Sequence, residues 1–467
     1  MKREGALLVL AGTLALALLG LWSAGSGAAA PPPLSWDPTE RVSPAGYDAD
    51  RPDVAAVSDL TAHILWEGLH GEAVRIWWSA RPPAGAWSAP MNVSSTGGLG
   101  APEAARISAG PDDSLHAVWD DNQRAIFYAE RPANGAWSAP TMLAQGNDEN
   151  PVFAPAVAVN PLDGGVLVAW VQGFPYNPDA DSTSVISIAE RPAGAIAWTQ
   201  GVTISENVRN ANEPDLAAGA DGAMHLVWTG QLESGTSQAF YRRRAANGAW
   251  ETSQAVAPPA GEAQSPAVAV DPDTAQPVVA WSEIGETGEA VIFYAGRSAD
   301  GVWDAPVAIS DAAGSSSYPD VLTLPAGGAL VVWSRDVNDA MGLYYAARRR
   351  AGEAWTQPIT ITAPSSELSL SAPRWTLDAE WNVHLVWASF GEGQETITWH
   401  ALGRPAVPGP TRTPTATRTV TPTPTASPTP TATTPASATP TRTATATRTP
   451  AATRRPSAWL PLTVRGR

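Results

Sequence analysis

Tryptophan recurs through the middle of this chain at a nearly fixed period, and that period constrains the fold more than any other feature. Short apolar runs end at Trp66, Trp119, Trp170, Trp228, Trp281, Trp333 and Trp387, with successive spacings of 53, 51, 58, 53, 52 and 54 residues. A second tryptophan follows each of the first six at 18 to 28 residues: Trp87, Trp137, Trp198, Trp250, Trp303 and Trp355. A period near fifty residues marks a repeat architecture, in which each unit buries its apolar face only against its neighbours.

Each unit reads as four short strands. Segments such as Arg51-Pro52-Asp53-Val54 and Tyr318-Pro319-Asp320-Val321 begin strand one, and the run into each first tryptophan is strand two. Aromatic runs such as Ile126-Phe127-Tyr128 form strand three, and the second tryptophan opens strand four. Alternating apolar residues, β-branched and aromatic enrichment, and Gly, Asn and Asp between runs all favour short strands. Four strands per unit, repeated radially, predict an all-β, seven-bladed β-propeller over residues 31–403. The seventh unit lacks its fourth strand, and the missing piece stands at the front, from Trp36 to Ser43. An N-terminal strand that completes the last blade would close the ring and remove its open edges. Both sets of tryptophans are then packing residues between blades rather than sugar platforms.

The two ends differ in kind from the middle. Lys2 and Arg3 precede an apolar run from Ala6 to Trp22 and then small residues to Ala30, the pattern of a secretory signal over residues 1–30. Residues 404–456 are dominated by Thr, Pro, Ala and Arg, which have little to bury and are expected to form an extended, disordered stalk. At ~3.1 Å per residue, the 49 residues from Pro408 to Pro456 reach roughly 150 Å. Residues 457–467 add a short apolar patch ending in arginines, similar to the endings of some bacterial envelope proteins with Thr/Pro stalks. The expected location is therefore the bacterial cell surface, after secretion, with the stalk retained at the envelope.

Charge narrows the function classes. The chain carries 29 Lys+Arg against 45 Asp+Glu, a net charge of −16, and no cysteine. Disulfides, thiolate chemistry and Cys-ligated zinc are thereby excluded. From Arg404 onward there are nine arginines and no acids, so residues 31–403 carry about −26. An acidic head repels phosphate backbones, and no nucleic-acid partner is expected. A monomer is expected.

The links before the second tryptophans, Ser298-Ala299-Asp300-Gly301-Val302-Trp303 and Pro132-Ala133-Asn134-Gly135-Ala136-Trp137, carry a resemblance. They resemble the Asp-box, or bacterial neuraminidase repeat, of sialidase-type propellers, in shortened and degenerate form. The resemblance implies a propeller whose boxes fix turns away from the reacting face. It implies a sialidase-like activity in which three arginines hold the substrate carboxylate and a tyrosine helped by a glutamate is the nucleophile. On this sequence those roles fall to Arg51, Arg209, Arg374, Tyr318 and Glu213, with Asp50-Arg51-Pro52-Asp53 nearest to the family's arginine motif.

Read without the family, the loop face before strand one and after strand two is acidic. Asp53, Glu103, Asp215 and Asp320 start successive strands one, while Asp120, Glu283 and Arg335 follow strands two. These are the candidate ligand-binding residues, and the carboxylate oxygens among them, with Asp336, suit Ca²⁺ if any ion is held. Asn177 to Thr183 is a second, weaker calcium-like loop, and no other cofactor is expected. His63, His116, His225 and His384 share one position in separate blades and read as structural residues rather than zinc ligands. Tyr47, Phe174, Tyr176 and Phe390 are the non-repeat aromatics that a binding face would expose. A displayed head on a long spacer favours non-covalent recognition of an extracellular glycan or protein, with a sialidase-like exo-glycosidase as the alternative.

Overall fold

The computed structural model describes residues 34–405, except 95–99, 175–183, 207, 233–234, 259–260 and 392. The expected signal segment, most of the stalk, the C-terminal patch, Tyr176 and the calcium-like loop lie outside the described residues.

Seven antiparallel sheets form the ring. Blade 1 is typical: Asp48–Ala56, Ala62–His70, Ala73–Arg81 and Met91–Asn92 pair in sequence order from the inside outward. Strand one of every blade touches strand one of the next, and the last touches the first. Closure is made as the sequence predicts. Leu34–Trp36 and Glu40–Arg41 both pair with Ile397–Pro405, the third strand of blade 7. The second tryptophans depart from expectation in one respect: they lie in the turn before strand four rather than opening it. Trp87 precedes Met91–Asn92, and most fourth strands are only two residues long.

The strand-two indoles are the core. Trp66, Trp228 and Trp333 are fully buried, and none of the seven exceeds 3% exposure. Five of the six second tryptophans instead pack edge-on against an aromatic ring of the preceding blade, as Trp303 does on Tyr241 and Trp355 on Tyr294, while Trp250 packs against the apolar cluster that includes Ile188. The shared burial is what couples neighbouring blades.

Arginine makes a second coupling at the lower rim, where strand three ends. Arg131 of blade 2 lies over Trp78 of blade 1, Arg191 over Tyr128, Arg297 over Tyr241 and Arg348 over Tyr294. Several also hold a carboxylate of the preceding blade: Arg191 meets Glu130, Arg244 grips Glu190 through two nitrogens, and Arg297 meets Glu251. A planar guanidinium can stack on a ring and hydrogen-bond at its edge at once, which an ammonium cannot. The lower rim accordingly uses arginine and no lysine.

The four strand-two histidines sit at the same lower level, each in its own setting. His116 and His225 hydrogen-bond the hydroxyls of Tyr128 and Tyr241, and His384 bonds His400. His63 stacks on Trp78. Burial holds His63, His116 and His225 neutral by lowering their pKa values to about 4. No cluster of metal-ligating side chains occurs among the described residues.

Candidate functional site

A repeated backbone irregularity shapes the mouth of the central channel. In blade 1 the pairing of strands one and two slips between Asp50 and Asp53, and the same slip recurs in blades 2 to 6. At each slip one residue takes a left-handed φ: Arg51 (45°), Ala104 (51°), Ala154 (49°), Glu213 (52°), Ser265 (48°) and Tyr318 (54°). Five of these six precede proline, a setting that already restricts the backbone. A β-bulge of this kind bends the strand and re-aims a side chain. Its recurrence with alanine in two blades makes the strain a property of the blade rather than of a site.

Side chains of the preceding blade stabilise these bulges. Glu67 accepts the N–H of Ala104 at 3.0 Å, Asp120 that of Ala154 at 3.3 Å, and Glu213 that of Ser265 at 2.7 Å. What varies is the side chain carried: Arg51, Ala104, Ala154, Glu213, Ser265 and Tyr318 on blades 1 to 6. Bulk and polarity are thus gathered on blades 4, 5, 6 and 1.

Two residues further down each strand is a second charged level, inside the channel. Asp53, Arg106, Asp215, Asp320 and Arg374 occupy it in blades 1, 2, 4, 6 and 7, all half-buried. The three aspartates join blades: Asp53 accepts the N–H of Ile107, Asp215 that of Val268 and Asp320 that of Trp375. Burial pushes Asp320 up to about 7 and raises Asp215 despite Arg374 nearby. Burial and Arg374 together lower Arg106 to about 10. For Arg374, burial opposes the charge, yet Asp320, Asp215 and Asp53 raise its pKa overall.

The register moves one expected residue. Glu103 is the counterpart of Asp50 at the mouth, opposite Asp120, while Arg106 stands at the level of Asp53. Sequence reasoning missed Arg106 because repeat two lacks the proline after its bulge and carries a decoy, Pro102, two residues before it. Distance to the tryptophan was the usable signal: Asp53, Arg106, Asp215, Asp320 and Arg374 each stand 13 residues ahead of theirs.

At the mouth itself, Arg51 Nη1 lies 3.4 Å from Glu67 and 3.4 Å from Glu103 of the next blade. Burial pushes Glu67 up to about 7, and burial with the charge of Glu103 pushes Asp120 up to about 8. Asp50, whose carboxylate accepts the Arg51 N–H, is also raised by burial. Across the ring, Glu213 further accepts the hydroxyl of Ser265 at 3.2 Å and is raised by burial. Tyr318 stands 47% exposed on its bulge. Burial and the Glu213 charge raise its phenol, while Arg51 lowers it. Arg51, Glu213 and Tyr318 therefore share one electrostatic neighbourhood, and Glu213 and Arg374 attract each other as well.

The remaining candidates stand apart. Arg209 is exposed at the start of strand one in blade 4. Arg335 is ion-paired with Asp311 and lies over Tyr344, and Glu283 accepts the buried indole N–H of Trp281 at 3.0 Å. Tyr47 stacks on His70 with ring centres 4.1 Å apart, and Phe174 is half-buried. Phe390, 40% exposed, ends strand two of blade 7, beside the blade that carries Tyr318.

No protein-family model matches the chain, and no curated protein matches it in sequence. In fold, it is a seven-bladed β-propeller: the resemblance implied a propeller, and the count of seven came from the tryptophan repeat. A lectin from Burkholderia pseudomallei is similar, at 16% identity over 75% of this chain and 98% of its own, with a TM-score of 0.53. A polysaccharide lyase acting on ulvan is similar at 10% identity over 76% of this chain and 94% of its own, with a TM-score of 0.54. A protein of unknown function from Dyadobacter fermentans covers 80% of this chain and 100% of its own, at 13% identity and a TM-score of 0.50. At such identities the likeness is one of fold alone.

Proposed function

We propose that this protein is a secreted, surface-displayed propeller that binds an extracellular glycan at the channel mouth, without turning it over. The observation that carries this reading is Tyr318, an exposed aromatic ring standing in the neighbourhood of Glu213 and Arg51. A sugar ring presents a C–H face to such an aromatic and hydroxyl donors to carboxylate oxygens, and a few well-placed polar groups then fix its orientation. Phe390 of the neighbouring blade is a second exposed aromatic, at the end of strand two. The lectin and the lyase of similar fold are carbohydrate-directed proteins by name, which agrees with this reading. The stalk then serves to hold the mouth away from the envelope.

A sialidase-like exo-glycosidase is the second reading, favoured by one observation: Tyr318 feels the charge of Glu213. Against it, the three arginines it needs are dispersed between the mouth, the channel and the rim. The test uses the full chain on a glycan array and, in parallel, on fluorogenic aryl glycosides including a sialoside. Binding that is lost in Tyr318→Ala, with no turnover, is expected. Turnover lost in Tyr318→Phe would establish the enzyme instead.

A further inference from the structure

Arg51 stands on the mouth ring with 37% of its side chain exposed, the place where a guanidinium would meet a ligand. Its charge is already engaged. Glu67 of its own blade and Glu103 of the next hold the same Nη1 atom from two sides, and both keep most of their side chains buried at 14% and 22% exposure. Asp50 attracts it as well. We propose that this two-carboxylate clamp sets the ligand class, so that the mouth takes uncharged glycans and rejects those that carry a carboxylate. The inference rests on the glycan reading above.

The charges around the mouth point the same way. Asp50, Glu67 and Glu103 all act on Arg51, so its charge is already offset and an incoming carboxylate finds little net attraction there. The other arginines offer no substitute. Arg335 is committed to Asp311, and Arg374 lies among Asp53, Asp215 and Asp320. Arg209 is exposed, where solvent and salt screen it. An uncharged sugar needs no such attraction, donates its hydroxyls to the carboxylate oxygens and covers Tyr318 with its C–H face.

Glu103 is the specificity-determining member in this account. It is not needed to satisfy the bulge of the next blade, as Glu67 is, so neutralising it loosens the hold on Arg51 and leaves the bond from the Ala104 N–H to Glu67 in place. The test measures affinities of the full chain for an uncharged oligosaccharide and for one of equal size bearing a uronate or sialate. Wild type is expected to bind the acidic sugar at least ~10-fold more weakly. In Glu103→Gln the ratio of the two affinities should narrow by about tenfold, and adding Arg51→Ala should restore it. Melting temperatures of the variants establish that each ring is intact. A wild type that prefers the acidic sugar overturns the inference, as does an unchanged ratio in folded Glu103→Gln. Binding of neither sugar defeats the recognition reading itself, and this inference falls with it.

Discussion

The lower rim and the mouth of this ring are built from the same repeat, yet they use it in opposite ways. At the lower rim an arginine of one blade covers an aromatic ring of the blade before it, again and again, from Arg131 to Arg348. At the mouth the backbone repeats as faithfully, with a left-handed residue in six successive blades, but the side chains do not. Arginine, alanine, glutamate, serine and tyrosine all occupy it. A repeated side chain on a repeated backbone serves the ring. Varied side chains on a repeated backbone are free to serve something outside it.

The largest expected effect belongs to the core that both regions share. Trp333→Ala, at a fully buried indole, should cost ~3–5 kcal/mol in urea unfolding and leave any residual glycan affinity of the folded fraction unchanged. A smaller effect isolates the lower rim. Arg297→Lys keeps the charge but loses the planar contact with Tyr241 and the bond to Glu251, and should cost about 1 kcal/mol, again without touching binding. Loss of binding in either variant would erase the division between the regions.

The two regions should also answer pH with opposite signs. Histidines near the lower rim have folded pKa values near 4 against an ordinary 6.5, so the unfolded chain takes up protons that the folded one refuses. Their contribution to stability is lost as pH falls through that window. The mouth carboxyls Glu67 and Asp120 are raised to about 7 and about 8, so the folded chain keeps protons the unfolded one releases. Stability there is full in acid and declines as pH rises from about 4 to about 8. Thermal melts across pH 4–9 should show stability falling toward about pH 8, and Glu67→Gln with Asp120→Asn should reduce that fall while steepening the rise on the acid side. Flattening of the acid slope instead would show that the regions are not separable.

The sequence made the ring far more legible than the mouth. Tryptophan at a fixed interval is a packing demand, and packing between identical units leaves a period that survives drift elsewhere; the N-terminal strand from Trp36 was found the same way. The mouth depends on register, which a single misplaced proline obscures. Pro102 drew Glu103 to the level of Asp53, whereas the bulge at Ala104 puts Arg106 there. Nor does composition reveal which charges are already engaged. Arg335 and Glu283 read as free loop residues, and only the fold shows Asp311 and the Trp281 indole beside them. The gathering of Arg51, Glu213 and Tyr318 required the bulge, which no spacing of apolar residues encodes.

On this reading the mouth binds through Tyr318 while the rest of the repeat only builds the ring. Tyr318→Gly tests it most directly, because glycine relieves the 54° φ while removing the ring. Glycan affinity and urea stability of the full chain should be measured side by side for wild type and variant. Binding should fall at least ~10-fold while stability stays within ~1 kcal/mol, the relieved backbone offsetting the lost contacts of a half-exposed side chain. Undiminished binding in the variant would contradict it.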